Sequence, residues 1–412
     1  MNSVFRSLSN RNYRIWAIGA LISNIGTWMQ RTAQDWLVLT GLTHHNATAV
    51  GIVMALQFGP QLLLLPLTGY AADHFDRRKL IIATQFFSLL MALGLGLLTV
   101  TGLVQLWEVY LFAFGLGCAG AFDSPARQTF VAELVGEAGL PNAVALNSTS
   151  FHGARMIGPA VAGLMIADVG TGWAFLVNAA SYLTVLTSLL LLRTGELHPT
   201  TRAIRKKGSF AEGFSYVASR PDLKTILLMM FLIGTFGLNF PIFISTMAVT
   251  VFHAGAGRYG LLSSILATGA VTGSLLAARR PKPSFSLVMA GAAFFGTGCA
   301  LAAVMPNQFL FALALIMIGI AAQTFATNAN SLVQLSTAPE MRGRVMAILL
   351  ALAFGGTPLG APIVGFVADH AGPRWALTIG AAAGLISALI AFIYLQKLRP
   401  LRPVPAQCPE NP

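Results

Sequence analysis

The feature that most constrains this chain is the recurrence, from one end to the other, of apolar stretches about 20 residues long separated by short polar breaks. A helix needs roughly that length to cross the hydrocarbon of a bilayer, where each backbone polar group must be satisfied inside its own segment. Spanning helices are expected at 15–40, 48–72, 80–101, 107–127, 143–168 and 173–192. A second six are expected at 223–250, 258–278, 285–304, 308–333, 344–369 and 374–396. Composition points the same way: 55% of the residues are hydrophobic and 10% charged, and the mean hydropathy is +0.71. A soluble surface does not tolerate such values.

Between the two sets the apolar pattern lapses. From Arg193 to Lys224 the chain carries Arg202, Arg205, Lys206, Lys207 and Arg220, and Phe210 to Tyr216 reads as an amphipathic helix on the membrane surface. Domains are therefore expected at 1–192 and 223–396, joined by a cytoplasmic linker at 193–222 and followed by a tail at 397–412. An internal repeat supports two similar halves: Gly158, Gly163, Gly170, Trp173 and Ala174 match Gly360, Gly365, Gly372, Trp375 and Ala376 at one offset. The expected fold class is an all-α membrane protein with twelve transmembrane helices in two pseudo-symmetric six-helix bundles.

Orientation follows from the Lys and Arg of short loops, which stay on the cytoplasmic side. Arg6, Arg11 and Arg14 precede the first helix, Arg77, Arg78 and Lys79 follow the second, and Arg279, Arg280 and Lys282 follow the eighth. Arg342 and Arg344 precede the eleventh, and Lys397, Arg399 and Arg402 follow the last. Both termini are expected in the cytoplasm. The net charge of +12 then reflects topology and contact with anionic membrane lipid, with no nucleic-acid partner. The N-terminus lacks the features of a removable signal peptide, so the first helix is expected to be retained. Cys118, Cys299 and Cys408 have no metal-ligand spacing, and no metal is expected.

Ionisable side chains inside a membrane are costly, so each is a candidate for function. Arg31 and Asp35, four residues apart, share a helix face and are placed to pair, with Gln30 and Gln34 beside them. Helix four carries Asp123 and Arg127, and helix five carries His152 and Arg155. The second half offers neutral polar groups, notably Asn239, Gln323, Asn328 and Asn330. Burial raises a carboxyl pKa and a nearby Arg lowers it, so Asp35 is the candidate proton carrier; the other reading is a structural ion pair with Arg31. Arg155 either attracts an anionic substrate group or bridges helices, and His152 either packs or carries a proton. Trp28, Met29, Trp36, Phe236 and Phe240 line an apolar cavity or face lipid.

The sharpest local motif is Gly69-Tyr-Ala-Ala-Asp73-His-Phe-Asp-Arg77-Arg78-Lys79. It resembles the loop motif of the major facilitator superfamily, with His74 in place of the usual Arg or Lys and Asp76 in place of the usual Gly. WMQRTAQDWLVL, QTFVAELVGEAGLPNAVALNS, ARMIGPAVAG and MRGRVMAI extend the resemblance over nearly the whole chain. They are similar to the drug and siderophore exporter branch, the enterobactin-exporter-like or transmembrane secretion effector type. The resemblance implies a gating latch in which Asp73 sits on the start of helix eleven near Arg344. Arg77 would meet a buried carboxylate, for which Asp123 is the candidate. Gly158, Pro159 and Gly163 resemble the antiporter motif of exporters; physically, Pro removes a backbone hydrogen bond and Gly removes bulk, so the helix bends and packs closely.

An integral-membrane lipid-modifying enzyme needs a nucleophile or metal cluster near the interface, which the sequence does not offer, and no GxxxxGK[ST] phosphate loop is present. The function expected is a proton-coupled exporter of a drug, siderophore or metabolite in the bacterial inner membrane, monomeric and without a cofactor, driven by the proton gradient. An uncoupled facilitator or an importer of the same fold suits the topology equally. Substrate-cavity candidates are Trp28, Gln30, His152, Arg155, Asn239, Gln323 and Asn328.

Overall fold

The computed structural model describes residues 3–64, 67–68, 71, 75–198, 210–278 and 283–398. Several of its helices begin where a short polar side chain satisfies unpaired N–H groups of a first turn. Asn10 accepts from Tyr13 N to start α1 (Arg11–Trp36). Asn46 accepts from Ala49 N to start α2 (Ala47–Leu63), and Asp76 from Lys79 N to start α3 (Arg77–Val100).

The next helix departs from expectation. α4 (Leu106–Val169) is a 64-residue run with one break, at Gly136, whose φ of 68° only glycine adopts readily. The interval 128–142, expected as a loop, is helical on both sides of that break. Phe130, Val131 and Leu134 supply the reason: at helical spacing they bury one face in a cluster with Tyr13 and Trp16 of α1.

α5 (Thr171–Leu190) and the expected amphipathic helix, α6 (Phe210–Ser219), follow. α7 (Pro221–Leu232) and α8 (Phe240–Thr246) are joined by a π-helical turn at Ile233–Gly237, and a second such turn, Met247–Val251, extends α8. Beyond lie α9 (Ala256–Ala278), α10 (Phe285–Val304) and α11 (Gln308–Ser336). The last are α12 (Arg342–Gly355), α13 (Thr357–His370) and α14 (Pro373–Leu398). Among the described residues there is no strand, and 8 helical runs are long and apolar enough to cross a membrane.

α1 packs on α4 and α5, and α3 on the same two helices, while α9 and α10 pack on α11, and α10 also on α14. The earlier and later elements meet chiefly where α2 lies along α13 and α4 along α9. α6 docks on the start of α12, through an ion pair of 2.7 Å between Glu212 and Arg344. Tyr216 Oη beside it accepts from Ala338 N at 3.2 Å.

Two polar clusters tie the ends of these helices. In the first, Arg77 Nη1 reaches Glu133 Oε1 at 2.6 Å and Arg78 Nε donates to the Leu189 carbonyl at 2.9 Å. The expected Arg77–Asp123 pair does not form. Asp123 is already held by Arg127 Nε at 2.6 Å, and by Thr84 Oγ1 and Gln85 Nε2, both at 2.9 Å. α3 and α4 run antiparallel, so Arg77, seven residues before Thr84, lies about 10 Å further along. That level of α4 carries Glu133. Gly69 and Asp73, the other members of the expected latch, lie outside the described residues.

The second cluster was not anticipated. Asp369, in the last turn of α13, accepts from Ala47 N at 2.6 Å, Thr48 N at 2.8 Å and Thr48 Oγ1 at 2.5 Å. A carboxylate from one helix thereby completes the N-terminal cap of another, where the helix dipole also favours negative charge. This clasp borders a cavity of about 400 Å³ that reaches His44, Thr246 and His370. Asp369→Ala is expected to cost about 2 kcal/mol of closure at this end, roughly thirty-fold in the population of separated ends. The check is maleimide labelling of a cysteine placed at the buried Thr246, in a background without the native cysteines; labelling should accelerate in the Asp369→Ala protein.

Candidate functional site

A small cavity of about 90 Å³ lies where α1, α2, α4, α8 and α9 converge. α1 supplies Trp28, Arg31, Thr32 and Asp35, and α4 supplies Arg155 and Pro159. Met54, Gln57 and Phe58 of α2 form one wall, and Phe240, Pro241 and Ile244 of α8 another. Tyr259, Ser263 and Leu266 of α9 complete it. The volume is well below the ~300 Å³ at which ordinary small-molecule sites begin, so a drug-sized occupant requires these helices to separate.

The helical spacing of α1 explains its contribution. Positions 28, 31, 32 and 35 recur at three and four residues and fall on one face. Asp35 is only 5% exposed, and its carboxylate lies beside the Tyr259 hydroxyl of α9. Trp36 stacks on that same Tyr259 ring, with centroids 5.7 Å apart. Arg31 shares the face of Asp35 as the spacing requires, yet the two do not form an ion pair. The described ion pairs are Arg77–Glu133, Arg127–Asp123, Arg193–Glu196, Arg220–Asp222 and Arg344–Glu212.

Aromatic rings hold the cavity's cations instead. The Arg31 guanidinium lies 5.0 Å from the centroid of the Trp28 ring and 5.2 Å from that of Phe58. Arg155 lies 5.3 Å from the same Trp28 centroid. Two cations from different helices therefore address one indole, an attraction worth up to about 2 kcal/mol for each when water is excluded. Behind them Gln57 Nε2 donates to Gln34 Oε1 at 3.2 Å, and Gln34 Nε2 to the Val109 carbonyl at 3.4 Å.

The small residues of α4 set how closely the walls approach. Gly158 faces α1, where an added methyl group would meet Trp28 and the Ile25 carbonyl at 3.0 Å. Gly163 faces α9, where the same methyl would lie 2.7 Å from the Ala256 carbonyl and 3.1 Å from Gly257 and Gly260. The sequence Gly-Pro-x-x-x-Gly thus seats α4 between two partners and turns Pro159 into the cavity.

The remaining candidates lie elsewhere. Gln30 points to α5, where its Oε1 accepts from Asn178 Nδ2 at 2.5 Å. Asn239 is fully buried at the start of α8 and donates to the Thr235 carbonyl at 2.8 Å. On α11, Gln323 donates to Thr327 Oγ1 at 3.3 Å and Asn328 to the Thr324 carbonyl at 2.8 Å, both within the helix. His152 is half-buried, edge-on to Phe151, and outside the cavity lining. The sequence reading missed Tyr259, Ser263 and Gln57. Tyr259 follows Arg258 at the start of an apolar run and looks like an interfacial residue; an acid-facing hydroxyl has no local signature.

The chain matches the family model described as transmembrane secretion effector over residues 2–407. It is 25% identical over 381 residues to the staphyloferrin A transporter of Staphylococcus aureus, covering 91% of this chain and 94% of that one. It is 26% identical over 397 residues to the multidrug efflux pump Tap of Mycolicibacterium fortuitum, covering 93% and 95%. Among solved structures, a bacterial homolog of the human lysosomal transporter Spinster, inward-facing and unoccupied, superposes with a TM-score of 0.74. That match covers 96% of this chain and 99% of the other at 15% identity, and shows the shared fold. This chain belongs to the transmembrane secretion effector family of the major facilitator superfamily, and is a multi-pass membrane transporter rather than an enzyme.

Proposed function

We propose that the protein is a secondary active exporter of small molecules in the bacterial inner membrane, working by alternating access and exchanging substrate for a proton at Asp35. One observation carries the reading. Asp35 is the only carboxylate among the described residues of the cavity, and it faces the Tyr259 hydroxyl across the contact between earlier and later helices. A hydroxyl donates more strongly to an ionised carboxylate than to a neutral acid. Protonation therefore weakens the attraction between Asp35 on α1 and the Tyr259 hydroxyl on α9, linking the proton to the separation of those helices. The export direction draws on the relatives, one of which is named an efflux pump.

The architecture proposed with it is two six-helix bundles, 1–192 and 223–396, rocking about the cavity. Eight apolar runs, together with α1, α2 and the two arms of α4, make up twelve spans. α2 has 17 residues and falls just short of the usual length, while α1 carries its polar cavity face. The basic loops put both termini in the cytoplasm, with 193–222 as linker and 397–412 as tail. The unit is a monomer in contact with anionic lipid, without a cofactor, driven by the proton gradient.

The test is proton flux in proteoliposomes holding an imposed pH gradient and challenged with a panel of lipophilic compounds. Wild-type protein should dissipate the gradient in a compound-dependent way, and Asp35→Asn should lower that flux at least about tenfold, equivalent to roughly 1.4 kcal/mol. Tyr259→Phe, which removes only the hydroxyl, should reduce coupling by less. Compound transport without proton movement in the wild type would replace the exchanger by an uncoupled facilitator.

A further inference from the structure

Charge in the cavity is unbalanced. Its described lining holds two guanidiniums, Arg31 and Arg155, against one carboxylate, Asp35. Asp35 lies beside Tyr259 and in no ion pair with either cation. Each guanidinium carries five N–H donors in a planar fork. Among the described residues neither guanidinium donates a hydrogen bond: both lie over the face of Trp28, Arg31 also over Phe58, faces that take no N–H bond in the plane of the fork, and Asp35 acts on Arg31 only through space.

Holding an unpaired cation away from water costs several kcal/mol. Arg31 and Arg155, half-buried on separate helices and aimed at one small space, persist most economically when their partner is exchangeable. We propose that this partner is the transported molecule, and that the cavity takes an amphiphilic organic anion whose carboxylate or other acidic oxygens lie between Arg31 and Arg155. With Asp35 ionised the cavity carries one net positive charge, so a monoanion leaves no net charge to bury when the helices close. Trp28, Phe58, Met54, Phe240 and Leu266 provide the apolar walls against which the body of that molecule packs. A simple cation meets two like charges there and is excluded. The proposal rests on the reading of this cavity as the transport site and is independent of whether a proton is exchanged.

The experiment uses the full chain in lipid nanodiscs with three probes of one shape: 2-naphthoate, its neutral amide and 2-naphthylmethylammonium. Dissociation constants are read from quenching of tryptophan fluorescence, with Trp28→Phe identifying the cavity's share. The carboxylate should bind at least about tenfold more tightly than either of the others, as expected for a charge-assisted fork. Arg155→Gln and Arg31→Gln should each abolish most of that preference, and Arg155→Lys should keep part of it, so a poorly assembling Gln variant leaves the question answerable. Equal or tighter binding of the amide or the ammonium, no binding of the carboxylate, or a preference that survives both Gln substitutions would overturn the proposal. Uptake of the same probes into wild-type proteoliposomes separates the two readings. Movement of the amide or ammonium without preference for the carboxylate removes the anion site and keeps the transporter. Selective binding of the carboxylate with no movement of any probe keeps the anion site and removes this cavity from the transport path.

Discussion

Placing Arg31, Asp35 and Arg155 inside an otherwise apolar bundle is the constraint to which the surrounding structure answers. Each ionised group at such depth costs several kcal/mol unless its surroundings compensate. The compensation comes in different forms: indole and phenyl faces for the cations, the Tyr259 hydroxyl for the carboxylate, and amide side chains anchored on the Val109 carbonyl behind them. It also shapes α1. Gln30, Thr32, Gln34 and Asp35 are all buried, so the helix carries its polar face inward against α4 and α5. This is the reverse of a soluble amphipathic helix, and it explains why α1 is not among the most apolar runs.

Polar contacts within the first set of helices differ in kind from those between the two sets. α3 is bound to α4 and α5 through Arg77, Arg78 and the two donors Thr84 and Gln85 on Asp123, contacts that involve charged side chains at 2.6 to 2.9 Å. Where α4 meets α9, the contact is between glycines and backbone carbonyls, which pack closely without interlocking side chains. Where α2 meets α13, one carboxylate rests on the N–H groups of a helix end. Water can take over those donors when the helices part. Such a seam opens at modest cost while the bodies on either side keep their shape, which is what the proposed rocking requires.

Most helices were legible because a bilayer imposes one length and one composition on every span, and outside 64–72 and 128–142 the observed ends fall within a few residues of those expected. The interval 128–142 was not, because its Glu, Gly and Pro residues look like a loop, while the burial of Phe130 and Leu134 depends on Tyr13 and Trp16, more than a hundred residues away. Arg31, Asp35 and Arg155 were legible by the cost of charge in a membrane, which needs no knowledge of neighbours. Their partners were not. Spacing of four placed Arg31 beside Asp35, but the side chains chose Trp28 and Tyr259, and only tertiary structure brings α9 to α1. The same holds for Asp123, whose bond to Arg127 is local and whose separation from Arg77 reflects the antiparallel level of α3 against α4.

The clasp at Asp369 gives physical meaning to a second likeness in the sequence. Gly365-Phe-Val-Ala-Asp369-His370 ends α13, and Gly69-Tyr-Ala-Ala-Asp73-His74 follows α2, with Gly, Ala, Asp and His at the same spacing. The carboxylate of the first completes the cap of α2. The start of α12 has no side-chain cap on Met341 among the described residues, so its N–H groups have need of the acceptor that the proposed latch assigns to Asp73. A latch at Asp73, which the resemblance implies, would have the same chemistry as the Asp369 clasp. If each were worth about 2 kcal/mol, exchanging one for the other would leave two states near balance, and a change of charge in the cavity would be enough to choose between them.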